Sequence, residues 1–164
     1  MRRLLLVLVV LAMVMGVMAA PVGANGPEPG KATGHGQLQF LTSDVFWNAS
    51  FTAQGTPDNA KGKLLLNNTF LDKPWHGTVD CYYQDGNEAW FTGPAFGPNI
   101  HGDYWGAYVA DNGEPGTASP PDQFVVLLND SPDFFDCGDS FTQLLLKSSA
   151  SFYGDSLRGN IQVH

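Results

Sequence analysis

The sequence predicts an all-β protein, an antiparallel β-sandwich of about nine short strands with one disulfide. Apolar residues recur at every second position in runs after residue 31, as in strands that place one face on a core. Clusters of Gly, Pro, Asn and Asp separate the runs, and the 19 Gly and 11 Pro supply turns. With 15% charged residues and no repeat, the chain is not a coiled coil, a collagen-like rod or a disordered acidic tail.

The first 24 residues are predicted to be a signal peptide. Arg2 and Arg3 precede an unbroken apolar run over 4–20, and the small-residue pattern of 22–24 follows it. We expect cleavage after Ala24. An uncleaved membrane anchor is the alternative, although the run is slightly shorter than the roughly 20 apolar residues that a span needs. The expected location is therefore extracellular, as a secreted protein free of the membrane.

The chain after Ala24 is predicted to form a leader and one domain. Residues 25–35 are polar and rich in Gly and Pro, which predicts a flexible leader. Residues 36–164 suffice for a single β-sandwich domain with one core. Removal of the first 24 residues leaves six Lys or Arg against 16 Asp or Glu, a net charge of −10. Such a charge repels nucleic acid and anionic lipid, so neither is an expected partner.

The strand pattern is clearest in two segments. All odd-numbered positions in 45–53 are apolar and are predicted to share one face. In 75–83 we expect one inward face made of Trp75, Val79, Cys81 and Tyr83. Asp85-Gly86 then predicts a type I′ hairpin turn into a strand at 88–92. Further strands are predicted at 37–41, 63–70, 103–111, 123–128, 141–146 and 160–164.

The two cysteines are predicted to form a disulfide. Cys81 and Cys137 both remain after signal cleavage, and export would place them where paired thiols persist as disulfides. The bond would close a loop of roughly 57 residues, which corresponds to about 4 kcal/mol of stabilisation. A redox or zinc site is the alternative, but neither cysteine has a second ligand nearby in sequence.

Three segments together resemble a group of exported bacterial all-β domains of unknown function. They are HGTVDC at 76–81, DNGEPG at 111–116 continuing to PPD at 120–122, and GNIQVH at 159–164. The resemblance spans residues 36–164 and implies a secreted β-sandwich-like domain, found alone or appended to larger surface proteins, without assigned catalytic residues. Asp80 stands where a small residue is expected in similar sequences, which leaves the role of the face beside Cys81 open.

Acidic loops are the candidate metal sites. Asp111, Asn112, Glu114 and Asp122 could gather oxygen atoms around Ca²⁺, although their spacing does not match an EF-hand. The alternative is an ordinary turn, in which Asp111 bonds the backbone two residues on. A second acidic loop contains Asp130, Asp133, Asp136 and Asp139, with a solvated surface loop as the alternative. No cofactor other than this calcium ion is expected.

Exposed aromatic side chains are the candidate ligand-binding residues. Trp47 and Trp75 are in phase with apolar neighbours and are predicted to be core residues. Four other aromatic residues fall on the opposite face of their strands or at strand ends: Phe46, Tyr82, Trp90 and Trp105. We predict that they form an exposed platform for a sugar or a peptide. The alternative is that loops cover these side chains.

The leading functional hypothesis is a non-catalytic binding or structural module at the cell surface or in the extracellular space, with a polysaccharide or a cell-surface protein as its partner. The chain lacks the HExxH and GxSxG motifs, so zinc hydrolases and serine hydrolases lack support. His101 beside Asp103 could orient a substrate, but a third group is not identifiable. The alternative is a small glycan-acting hydrolase with two carboxylates on one sheet face, drawn from Asp80, Glu88 and Asp103.

Overall fold

The structure is a computed structural model that describes residues 29–39, 46–68, 74–97, 102–113, 120–153 and 158–164. The predicted signal peptide lies outside the described residues. Nine strands are present in these ranges: β1 Gly30–Gln39, β2 Phe46–Thr56, β3 Asn59–Asn68, β4 Trp75–Thr78, β5 Cys81–Asp85, β6 Glu88–Phe96, β7 Tyr104–Ala110, β8 Gln123–Asn129 and β9 Arg158–Val163. A short 3-10 turn, Pro132–Phe134, precedes one α-helix, α1, Ser140–Tyr153.

The strands form one antiparallel sheet that curls until its two halves pack face to face. Its order is β8-β7-β6-β4-β3-β2-β1-β9, and β5 pairs with β6 beside β4. We call β1–β4 with β9 the first half-sheet, and β5–β8 the second half-sheet. The ring of Phe51 on β2 lies 5.2 Å from that of Phe91 on β6 and 5.1 Å from that of Phe124 on β8. The predicted all-β antiparallel fold with nine strands is confirmed, and its two layers belong to a single curled sheet.

The main core lies between the half-sheets. Trp105 is fully buried there, and its ring lies edge-on to those of Trp75 and Phe91. Gly77 lies directly against the indole of Trp105, and a Cβ at Gly77 would overlap the ring nitrogen. Only glycine permits this close approach of strand and ring. Trp75 is a core residue, as predicted, and the half-buried Trp47 packs against the same core.

The segment 141–146, predicted as a strand, is the first half of α1. Asp139 precedes the first helical residue, Ser140, and its Oδ2 accepts a hydrogen bond of 3.0 Å from the N–H of Thr142, as an N-cap residue does. Thr142 and Leu146 are buried four residues apart, which is the spacing of one helix face. The helix covers the outer face of the second half-sheet and closes a second core that contains Trp90, Tyr108, Val125, Phe135, Cys137 and Leu146.

A one-residue bulge divides the predicted strand 75–83 into β4 and β5. Gly77 pairs with Ala95, and Cys81 pairs with Thr92. Cys81 is four positions from Gly77, whereas Thr92 is only three positions from Ala95. Such an extra residue shifts every later side chain to the other face of the sheet. Tyr82 therefore enters the main core, and the prediction that Cys81 and Tyr83 share the inward face of Trp75 and Val79 is wrong.

The predicted disulfide is present between Cys81 and Cys137. Since the bulge turns Cys81 toward α1, the bond ties β5 to the segment that leads into the helix. Cys137 is completely buried. The disulfide therefore fastens the helix layer to the sheet.

The start of the first strand and the position of one hairpin turn differ from the sequence prediction. The leader predicted for 25–35 overlaps β1, which begins at Gly30 and pairs with β2 from that residue on; residues 25–28 lie outside the described part. The hairpin between β5 and β6 is confirmed. Its two-residue turn is Gly86-Asn87, one position later than predicted, since Asp85 pairs with Glu88. Gly86 has a φ of 59°, a conformation that glycine adopts without strain.

Reduction of the disulfide is expected to lower the free energy of unfolding by about 4 kcal/mol, because the bond restricts the unfolded chain over a long loop. Urea unfolding with and without a reductant measures the difference. The Cys81→Ser, Cys137→Ser double variant should have the same free energy of unfolding as the reduced protein, and the reductant should not change it. A reduced protein within about 1 kcal/mol of the oxidised one would contradict this expectation.

Candidate functional site

The aromatic platform predicted from the sequence is not exposed. The exposed fractions of Tyr82, Trp90 and Trp105 are 1%, 4% and 0%. The bulge turns Tyr82 inward, α1 covers Trp90, and the curled sheet encloses Trp105. The side chain of Phe46 lies outside the described residues. The prediction of a ligand platform at Tyr82, Trp90 and Trp105 is therefore wrong.

The polar atoms of these aromatic side chains have partners within the protein. The indole N–H of Trp90 donates to the carbonyl of Gln143 in α1 at 3.2 Å, and that of Trp105 donates to the carbonyl of Pro94 at 3.0 Å. The Tyr82 hydroxyl donates to Gln84 Oε1 at 2.7 Å, and burial raises the pKa of this hydroxyl. These hydrogen bonds satisfy groups that would be costly to bury alone. All three rings are structural.

The first candidate calcium loop supplies acceptors to backbone amides. The buried carboxylate of Asp122 accepts from the N–H of Asn112 through Oδ1 and from the N–H of Ile161 through Oδ2, both at 2.9 Å. The carboxylate of Asp111 accepts from the N–H of Gly113 at 3.0 Å and from that of Val163 at 3.2 Å. Both side chains thus hold β9 beside the ends of β7 and β8.

Among the described residues, this loop does not form a metal site. Asn112 Nδ2 donates to the carbonyl of Pro121 at 2.7 Å, and Glu114 lies outside the described residues. Within the described ranges, no group of three or more His, Cys, Asp or Glu side chains is placed to hold a metal ion. The hydrogen bond from the N–H of Gly113 to Asp111 is the one expected of an ordinary turn, which is the alternative to a calcium site.

The second acidic loop also has local roles. Asp136 Oδ1 accepts from the N–H of Gly138 at 2.9 Å, and Asp139 caps α1. Asp130 and Asp133 are exposed, as a solvated surface loop requires. His101, the candidate partner of Asp103, lies outside the described residues.

The three carboxylates considered for glycan hydrolysis are spread along the sheet. Asp103 lies beside Ala95, whose N–H donates to the Asp103 carbonyl, and Asp80 lies beside Thr92 through a similar backbone bond. Glu88 begins β6. Along this strand it lies roughly 13 Å from Thr92, the neighbour of Asp80, and roughly 23 Å from Ala95, the neighbour of Asp103. Paired glycosidase carboxylates lie about 5–9.5 Å apart. Moreover, Lys147 and the Tyr108 hydroxyl already bind the Glu88 carboxylate.

The outer face of the first half-sheet is exposed, unlike the helix-covered face of the second. Cross-strand register places one row of outward residues across it and onto the adjoining end of β6: Asn160, His35, Ser50, Leu65, His76 and Phe96. Leu65 and Phe96 are exposed by 41% and 44%. The imidazole of His76 stacks on the ring of Phe96, with centroids 5.6 Å apart and planes at 28°. We call Leu65, His76 and Phe96 the outer-face platform.

Polar and cationic side chains surround the outer-face platform. A second row places Thr33, Thr52, Lys63 and Thr78 next to it. A shallow depression of about 380 Å³ runs between the two rows from Ser50 to Thr78. A neighbouring groove of about 360 Å³ is bordered by Lys31 and Lys61. The face thus combines an apolar centre with hydroxyl and ammonium groups in one continuous surface.

Sequence reasoning missed the outer-face platform. The alternation did place His76, Thr78 and Ser50 on outward faces. However, Leu65 and Phe96 come close to His76 only through the pairing of β3, β4 and β6. No local sequence signal specifies that register, because it depends on strands far apart in the chain.

Comparisons with protein-family models, with curated proteins and with solved structures find no match for this chain. The resemblance to exported bacterial all-β domains therefore stays a prediction. No helix within the described ranges has the length and apolar character needed to cross a membrane.

Replacement of Asp122 by Ala is expected to lower the free energy of unfolding by about 2 kcal/mol or more, because the buried N–H of Ile161 loses its acceptor. Chemical unfolding in EDTA measures this cost without any metal. Asp133→Ala removes an exposed carboxylate and should change stability by less than about 0.5 kcal/mol. A loss for Asp122→Ala that appears only in the presence of calcium would instead indicate a metal site.

The Asp80→Asn variant is expected to be more stable than the natural protein near neutral pH. Asp80 is partly exposed, but the partial loss of solvent around its carboxyl outweighs its hydrogen bonds and raises its pKa above the ordinary value of 3.8. The folded protein therefore holds this proton more tightly than the unfolded chain does. The corresponding stability is present at low pH and is lost as the pH rises through the raised pKa. Asn stays neutral and avoids that loss.

Urea unfolding of both proteins at about pH 3.5 and about pH 7 measures this difference. The gap in the free energy of unfolding should widen toward the higher pH. A constant gap across this range would show that ionisation of Asp80 does not affect folding.

Proposed function

We propose that the protein is an exported, non-catalytic β-domain that binds polysaccharide through the outer face of its first half-sheet. The observation that carries this proposal is the outer-face platform. Its centre is a stacked pair of rings, His76 and Phe96, beside an exposed Leu65. Flat rings with polar neighbours suit the partly wet interface that a sugar chain forms.

Export is supported by two features of the chain. The sequence of the first 24 residues has the three parts of a signal peptide. The Cys81–Cys137 disulfide is compatible with an oxidising compartment outside the cytosol. The resemblance to exported bacterial domains agrees with the same location.

The composition of the outer face favours a polyhydroxylated ligand over an apolar one. Hydroxyl groups of Ser50, Thr52 and Thr78 lie within one or two strand positions of the platform. Amide side chains of Gln37 and Asn48 continue the face and bond to each other at 3.3 Å. Such groups donate and accept hydrogen bonds in turn, as the hydroxyls of a sugar require.

Phe96→Ala is expected to weaken polysaccharide binding by about 10-fold, equivalent to about 1.4 kcal/mol. The polysaccharide used is one that retards the natural protein in the gel. Phe96 is almost half exposed, so its removal should leave the fold intact. Affinity electrophoresis in gels cast with soluble polysaccharides identifies the polymer and measures the change.

Phe141→Ala is the matched control, since Phe141 is an even more exposed phenylalanine, at 64%, on α1. It should retain the natural affinity. Equal losses in both variants, or no retention of the natural protein by any polysaccharide, would overturn the proposed function.

A further inference from the structure

Charge is strongly segregated between the two half-sheets. The strands of the first half-sheet contain Lys31, Lys61, Lys63 and Arg158 and no Asp or Glu, whereas those of the second contain Asp85 and Glu88 and no Lys or Arg. The full chain has a net charge of −8. A cationic face on such a strongly acidic protein needs a specific explanation.

On the basis of the proposed function, we infer that the bound polysaccharide is anionic and that Lys31, Lys61 and Lys63 contact its charged groups. Gln54 pairs with both Lys31 and Lys61, so these two lysines flank it at a strand separation of roughly 10 Å. Lys63 is the next outward position on β3, roughly 7 Å from Lys61. The three ammonium groups follow one path across the sheet.

These lysines form no salt bridge with any carboxylate in the described part of the chain, where the one ion pair joins Lys147 to Glu88. The acidic residues nearest to them in sequence are Asp58, in the β2–β3 turn three positions before Lys61, and Glu28, which is three positions before Lys31 and outside the described residues. The neighbouring side chains on β2 are the neutral Thr52 and Gln54. Within the described part of the chain, their charge is therefore available to a ligand.

The lysine path leads directly to the outer-face platform. Lys63 is in register with Thr78, and Leu65, two residues further along β3, is in register with His76. From β1 to β6 the surface spans four strand spacings, roughly 19 Å. One extended polymer can therefore contact the rings at one end and the ammonium groups at the other.

The remaining charge of the protein would orient such a ligand. Asp130, Asp133, Asp136 and Asp139 lie on the segment before α1, beside the second half-sheet. This acidic side repels an anionic polymer, while the first half-sheet attracts it. Attraction of this kind weakens as salt screens the charges.

The test uses two pairs of polymers, each pair sharing one sugar backbone and differing in charge: polygalacturonate against its methyl ester, and dextran sulfate against dextran. We expect the full disulfide-bonded protein to bind at least one anionic member about 10-fold more tightly than its neutral partner. The carboxylate and sulfate pairs distinguish the two sources of charge. Single-stranded DNA serves as a polyanion without the sugar chain of either pair.

Lys61→Gln with Lys63→Gln is expected to weaken binding to the preferred anionic polymer by about 10-fold. The matched control, Ser140→Glu with Ser148→Glu, changes the net charge by the same amount on exposed positions of α1. It should bind within about twofold of the natural protein, since exposed charges on the far side are screened.

The outcomes separate this inference from the proposed function. Equal binding to charged and neutral partners, equal losses in the lysine and control variants, or DNA binding as tight as polysaccharide binding would each overturn the anionic ligand. Phe96-dependent binding confined to neutral polymers would also overturn it, while leaving the proposed function in place. Absence of binding to every polysaccharide would overturn both.

Discussion

The single extra residue between β4 and β5 is the constraint on which the architecture depends. It lets one continuous stretch of chain pair with β6 along its length while changing the face to which its side chains point. Before the bulge, Trp75 and Val79 fill the main core; after it, Tyr82 does so and Cys81 turns away. Without this shift, Cys81 could not reach Cys137, and the helix layer would lose its covalent attachment.

The two outer faces of the sheet consequently differ in whether another element covers them. The second half-sheet carries Trp90, Tyr108 and Val125 outward, and this apolar surface is stable only because α1 and the disulfide cover it. The first half-sheet carries mostly hydroxyl, amide and ammonium groups outward, and it needs no cover. Its exposed apolar surface is concentrated at Leu65, next to Phe96 at the adjoining end of β6. The molecule thus has one closed side and one side open to a partner.

The sequence contained the local features of this fold. Alternation indicated the strands, Asp85-Gly86 indicated the hairpin within one position, and the two surviving cysteines indicated their bond. The helix was not predicted because segment 141–146, FTQLLL, is too short for the spacing of its apolar residues to separate a strand from a helix. The segment is helical because Asp139 caps it and because the folded sheet provides contacts for one face of the helix.

The candidate site was harder to foresee for a related reason. Exposure of an aromatic side chain depends on register and on which face a distant element covers, and neither is a property of the neighbouring residues. Trp90 illustrates this, because its burial follows from a helix about 50 positions later in the chain. Charge was more informative, since the absence of carboxylates from β1–β4 and β9 can be seen in the sequence once the strands are grouped.

The carboxylates that hold β9 have a consequence for the behaviour of the protein in concentrated solution. As the last strand in the sheet order, β9 would offer a row of open amides to any other extended chain, which is the usual template for edge-to-edge aggregation. Asp122 and Asp111 occupy alternate amides of that row, at Ile161 and Val163. The same two side chains that hold β9 in place therefore also leave these amides unavailable for pairing with a strand of another molecule.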